Sequence, residues 1–144
     1  MTPSSRNSPG ASYRPLRRLG AWRLLGALAI VLTLVVSLVP MPKPPVHVEH
    51  SDKLEHFLTY FALAAWYVQL VVNRQALAWH AAALALLGAA IEIAQGFTTW
   101  REPDWWDLGA NLAGVAAGAL LYATPLRNVL ARVDGTRNDR AARL

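Results

Sequence analysis

Cysteine is missing altogether from the 144 residues, and only 16% of them are charged. The first absence excludes a disulfide scaffold and a cysteine-ligated zinc domain. The second compares with roughly 25% charged residues in an ordinary soluble domain, too few here to clothe a compact one. Intrinsic disorder is excluded as well, because it requires low hydrophobicity and this chain is 54% hydrophobic. The mean hydropathy is +0.25. There is no HExxH or comparable metal-ligand spacing, no internal repeat and no cofactor motif, so neither a metal nor a cofactor is expected. The length allows one domain, and its long apolar runs make it a membrane domain.

Four such runs are present, at about 22–39, 54–72, 76–97 and 108–124. Each is about 16 to 22 residues, which at 1.5 Å per residue suits a hydrocarbon core of roughly 30 Å. The expected fold is all-α, an integral membrane bundle of four transmembrane helices. Asn73, Arg74 and Gln75 make a tight connection, so the second and third helices are antiparallel neighbours. Pro40, Pro42, Pro44 and Pro45 stop the first run and start an extended spacer. A signal peptide is the competing reading of that run, given Arg14, Arg17, Arg18 and Arg23 before it. The run is long for a signal core, and no A-x-A cleavage site follows.

Basic residues orient the spans. Arg6, Arg14, Arg17, Arg18, Arg23, Arg74, Arg127, Arg132, Arg137, Arg140 and Arg143 fall on one side, against Lys43, Lys53 and Arg101 on the other. The positive-inside rule then puts residues 1–21 and 125–144, two basic tails, in the cytoplasm. A sequence pI near 10.2 raises nucleic-acid binding. The tails carry no recognition motif and flank membrane spans, so topology and anionic lipid account for them. Beyond about Asn128 a frayed or surface-lying basic helix is expected.

The acids sort the other way. Of nine, Glu49, Asp52, Glu55, Glu92, Glu102, Asp104 and Asp107 lie in outer loops or outer span ends, leaving Asp134 and Asp139 inside. At about 100° per residue, Asp104, Asp107, Asn111, Gly114 and Gly118 share one face of the fourth helix. Asp52, His56, Tyr60 and Tyr67 share a face of the second, and Gly88, Glu92 and Gln95 align on the third. Polar groups facing lipid cost several kcal/mol, so the three stripes are expected to face one another around an outward-open pocket.

Most of these residues also have ordinary roles. Asp52 and Asp104 suit helix N-caps, with Glu55 and Asp107 as their capping-box partners. Glu55 suits a solvated interface, and Lys53 either snorkels or faces a ligand. Glu92 is different: it lies roughly 7 Å inside the span end by helical rise, where a carboxylate normally faces a cavity or partner. His56 is a proton-transfer group, a metal ligand or a buried hydrogen-bonding residue; His80 reads as structural. Gly114 and Gly118 form a GxxxG for close packing, within the bundle or between protomers. Trp100, Trp105 and Trp106 suit an aromatic belt or a wall for an amphipathic ligand.

Three ordered blocks now resemble the VanZ-like family of small integral membrane proteins. They are Asp52-Lys53-x-x-His56-Phe57 with Tyr60, then Glu92-x-x-Gln95, then Arg101-x-x-Asp104-x-x-Asp107-x-x-x-Asn111-x-x-Gly114-x-x-x-Gly118. Together they cover about residues 52–118, with the bulky Trp105-Trp106 pair as one departure. The resemblance implies a multi-pass protein of the bacterial cytoplasmic membrane, and the family's name-giving member is linked to teicoplanin resistance. The leading functional expectation is a non-transporting envelope protein whose pocket binds an anionic amphiphile, a lipid or a lipid-linked cell-wall component. Arg101 and Lys53 would meet the anion; Glu92, Gln95, Asp107 and Asn111 would hold polar substituents. The enzyme alternative is a transferase or hydrolase of a lipid-linked headgroup. There Glu92 or Asp107 is the general base, His56 the proton shuttle and Arg101 the electrostatic stabiliser. A small oligomeric transporter or assembly factor comes third.

Overall fold

The computed structural model describes residues 12–40, 51–99 and 104–135. Within them the chain is helical but for short connecting segments, which include a β-bridge between Tyr13 and Val71. The main helices are α1 (Leu19–Leu38), α2 (Ser51–Leu70), α3 (Arg74–Gln95) and α4 (Trp105–Leu120). Two 3-10 turns, Leu121–Ala123 and Pro125–Asn128, lead to the short α5 (Val129–Asp134).

Helices α1 and α3 are long and apolar enough to cross a membrane; a bent pair, Trp105–Ala123 with Pro125–Asp134, adds a third if its 77° bend falls within one span. Helix α2 falls short because its first turns carry Asp52, Lys53 and Glu55, and α4 because it has only 16 residues. All four begin about three residues before the apolar runs do. Polar residues such as Ser51 and Arg74 form first turns that hydropathy alone does not count.

Helix α2 is central. Along α4, a Cβ on Gly114 would collide with the Phe57 carbonyl oxygen. One on Gly118 would lie 2.6 Å from the Phe61 oxygen and 2.7 Å from Ala64 Cβ. The GxxxG therefore packs inside the bundle, letting two helix backbones touch. On the other side of α2, Gly26 receives the Trp66 indole, 2.9 Å from where its Cβ would stand. Tyr60, Leu63, Ala64, Leu84 and Val115 form the core between α2, α3 and α4. Gly26 is the one buried residue of α1; Leu24, Leu28, Val31, Leu32 and Val35 are exposed, as lipid-facing residues are.

At the end bearing Asn73, both flanking segments are tied down. Arg14 N donates to Leu70 O (2.7 Å), and its guanidinium reaches Val71 O and Asn128 Oδ1 (3.0 and 2.7 Å). Arg18 N donates to Asp134 Oδ2 at 2.9 Å, and Leu16 is buried. The Gln69 amide donates to Leu126 O (2.9 Å) and accepts from Leu130 N (3.1 Å). Residues 12–18 and 121–135 are thus part of the folded unit; of these, 12–18 and 125–135 fall in the segments expected as basic tails. The segment Pro125–Asp134, which includes α5, is bent by 77° from Trp105–Ala123, with Leu126, Val129 and Val133 exposed.

Candidate functional site

The opposite end gathers the polar residues. Helix α4 opens with Asp104 as its N-cap, the carboxylate accepting from Trp106 N at 2.8 Å. Asp52 is not a cap: α2 starts at Ser51, so Asp52 sits in the first turn, beside its neighbour's ammonium. That ammonium, Lys53 Nζ, contacts Asp104 (2.9 Å), Asp52 (3.2 Å) and Asp107 (3.4 Å). The lysine pulls the Asp104 carboxyl below the ordinary aspartate range, helped by the Trp106 N–H.

Asp107 is buried and faces inward, so it is no capping-box partner. Its Oδ1 is the one near Lys53; its Oδ2 lies 3.4 Å from His56 Nε2. The other imidazole nitrogen, His56 Nδ1, is 3.0 Å from Asn111 Oδ1 and 4.0 Å from Glu92 Oε1. The side chains of His56, Asp107 and Glu92 are only 10%, 7% and 6% exposed. Tyr60 and Asn111 are buried against the same α3 turn: a Cβ on Gly88 would stand 3.2 Å from Asn111 Nδ2 and 3.3 Å from Tyr60 Cζ. Each of α2, α3 and α4 thus supplies part of one cluster, because the three polar stripes occupy facing sides of these packed helices.

One sequence candidate stands apart. Gln95 is buried but turns to α1, where Nε2 donates to Ser37 O at 2.9 Å, fixing the α1–α3 contact. Arg101 lies outside the described residues, as does Trp100. Trp105 and Trp106 are strongly exposed, the disposition of interfacial anchors. Glu55 is exposed too. His80, at the Asn73 end, accepts or donates to Tyr13 Oη at 3.0 Å and packs on Tyr67.

Sequence reasoning missed the company Lys53 keeps. The described part of the cluster thus holds four carboxylates (Asp52, Glu92, Asp104, Asp107) to one lysine, three of them in contact with it, so it is acidic rather than balanced. The signal was available as a simple charge count within the motif. An apolar groove was missed as well. It runs between α1 and α2, about 590 Å³ in volume, from Leu25 and Trp66 up to Ser37 and Thr59. No family model, curated protein or solved structure matches the chain.

Proposed function

We propose that this is a VanZ-like, four-span protein of the bacterial cytoplasmic membrane whose outward-facing pocket binds the headgroup of an anionic amphiphile, either a lipid or a lipid-linked cell-wall component. Both termini are cytoplasmic in this reading. Its support is the segregation of charge: basic residues surround the Asn73 end and acids the Asp104 end. The observation that carries the functional part is the convergence of His56, Glu92, Asp107 and Asn111 at one helix end, with an acyl-sized groove alongside α2. Lys53 is engaged by three carboxylates, and Arg101 is the second side-chain cation assigned to the headgroup in this reading.

Photoreactive phosphatidylglycerol and a photoreactive polyprenyl phosphate, each in vesicles holding the protein, separate the two ligand sources. Labelling is expected on α1 and α2 peptides lining the groove and to fall several-fold in Asp107→Ala and in Arg101→Ala. Wild-type labelling in both variants, inserted normally, would overturn the proposal.

One observation favours the enzyme reading: His56 lies between Asp107 and Asn111, as an oriented acid–base group does. A transferase or hydrolase of a lipid-linked headgroup would change the mass profile of envelope lipids on deletion. Wild type would restore that profile and Glu92→Gln would not.

A further inference from the structure

We infer that His56, Glu92 and Asp107 bind a divalent transition-metal ion of the zinc type, oriented by Asn111, and that this ion carries the anionic headgroup into the acidic pocket. The second half rests on the function proposed above; the first does not.

The three residues come from three helices, and one ligand atom from each lies within 4.8 Å of the others. Imidazole with carboxylates is a donor set for zinc or manganese. Hydrogen-bond logic supplies the next step. Asn111 Oδ1 has only lone pairs, so the 3.0 Å contact requires His56 Nδ1 to carry the proton and donate. Nε2 is then the nitrogen turned to the Asp107 carboxylate, 3.4 Å away, and either a proton or a metal ion joins the two. A proton there would make a charge-assisted N–H···O bond, which closes to about 2.7–2.9 Å. Two ligands about 2.1 Å from one ion at a tetrahedral angle are instead about 3.4 Å apart. The Nδ1–H bond to Asn111 is also what a metal-bound histidine makes, since its second nitrogen donates to an oxygen that fixes the ring.

A separate observation points to a ligand on that ion. Asn111 Nδ2 and Tyr60 Oη are buried donors with no hydrogen-bond partner among the described residues, and both residues pack over Gly88, one turn from Glu92. Buried donors are rarely left so. An oxygen completing the coordination sphere, from water or from a phosphate, would accept from them. Three protein ligands leave a position open for that oxygen, as in catalytic rather than structural zinc sites. Lys53 already fills the neighbouring Asp52–Asp104–Asp107 group, which leaves the His56 group as the place for a metal.

The test uses the full chain, stripped with chelator in detergent micelles and titrated with zinc chloride. One zinc per chain is expected, and X-ray absorption of the loaded wild type should show a single imidazole among oxygen ligands. Glu92→Gln and Asn111→Ala, checked for intact helicity, should weaken binding by about 10–100-fold, and Asp52→Asn should not. The site is refuted by no saturable binding, by two or more imidazoles on the zinc, or by nitrogen NMR placing the His56 proton on Nε2 in zinc-loaded protein. Photoreactive phosphatidylglycerol labelling with and without EDTA then tests the bridge. Labelling that survives EDTA overturns the ion's role in headgroup capture but leaves the headgroup reading standing. Labelling absent from zinc-loaded protein refutes the headgroup reading and leaves the metal site intact.

Discussion

Replacing Gly114 with alanine tests whether the α2–α4 contact holds the site together. The new methyl would meet the Phe57 carbonyl oxygen, with the Phe61 amide nitrogen 2.9 Å away. Both are backbone atoms of a helix interior, so no rotamer change relieves the clash. Restoring an ordinary separation of about 3.5 Å requires α2 and α4 to part by roughly 1 Å. Overpacking of this kind costs about 1–3 kcal/mol, and the upper half applies where backbone opposes the methyl. Alanine returns up to about 1 kcal/mol of helix propensity. The net expectation is about 1–2 kcal/mol of destabilisation, a factor of about 5–30 in the unfolding constant. Gly109, on the same helix with nothing within 4 Å of its Cβ position, is the control. Gly109→Ala should be neutral or stabilising by the propensity term alone. Equilibrium unfolding in bicelles by steric trapping reads both. Equal stability of Gly114→Ala and Gly109→Ala would refute the packing argument. So would a Gly114→Ala protein of unchanged stability whose oligomer dissociates, since that outcome puts the glycines between protomers.

Three further predictions follow from particular contacts. The Asp104 carboxyl is held below its ordinary range, so its contribution to stability is complete above about pH 4 and is lost as pH falls through the lowered value. Melting curves between neutral and strongly acid pH should therefore show a loss that Asp104→Asn removes. Asp134→Ala frees the Arg18 amide at the start of α1, at a cost of about 1–2 kcal/mol. Trypsin should then cut at Arg127 and Arg132 faster than in wild type, and an unchanged rate would show that α5 docks without this bond. Finally, the absence of native cysteine allows clean labelling. In intact cells an impermeant maleimide should reach Thr99→Cys and spare Ser12→Cys, and the reverse pattern would invert the proposed topology.

Depth and facing were legible in the sequence wherever helical period and hydrophobic pattern agreed. Glu92, Asp107 and Asn111 recur at spacings that force them onto one side of their helices, and burial in a helix bundle leaves one direction for polar sides to face. GxxxG marked close packing, but only the Phe57 and Phe61 backbone showed that the partner is α2. Gln95 shows what periodicity leaves out. It shares the stripe with Glu92, yet a buried amide goes where an acceptor is available, and the α1 carbonyl of Ser37 supplies one. The ties of residues 12–18 and 121–135 were illegible for a related reason. They are backbone bonds and single side chains such as Arg14 and Gln69, with no repeat to announce them.

Lys53 changes the chemistry most. Taken alone at the mouth of an outer pocket, it reads as the cation that receives an anionic ligand. Three carboxylates within 3.4 Å of its nitrogen leave it little attraction to offer. Asp107 is shared between that ammonium and His56, so the two halves of the cluster are electrostatically coupled. Withdrawing Lys53, as in Lys53→Met, raises the negative potential at the His56 half by Coulomb's law, while His56, Glu92 and Asp107 themselves stay unsubstituted. Zinc affinity should then rise, whereas direct capture of an anion by Lys53 would make lipid labelling fall in zinc-free protein. The two measurements move independently, so this single variant separates a lysine that receives the ligand from one that balances the acids around it.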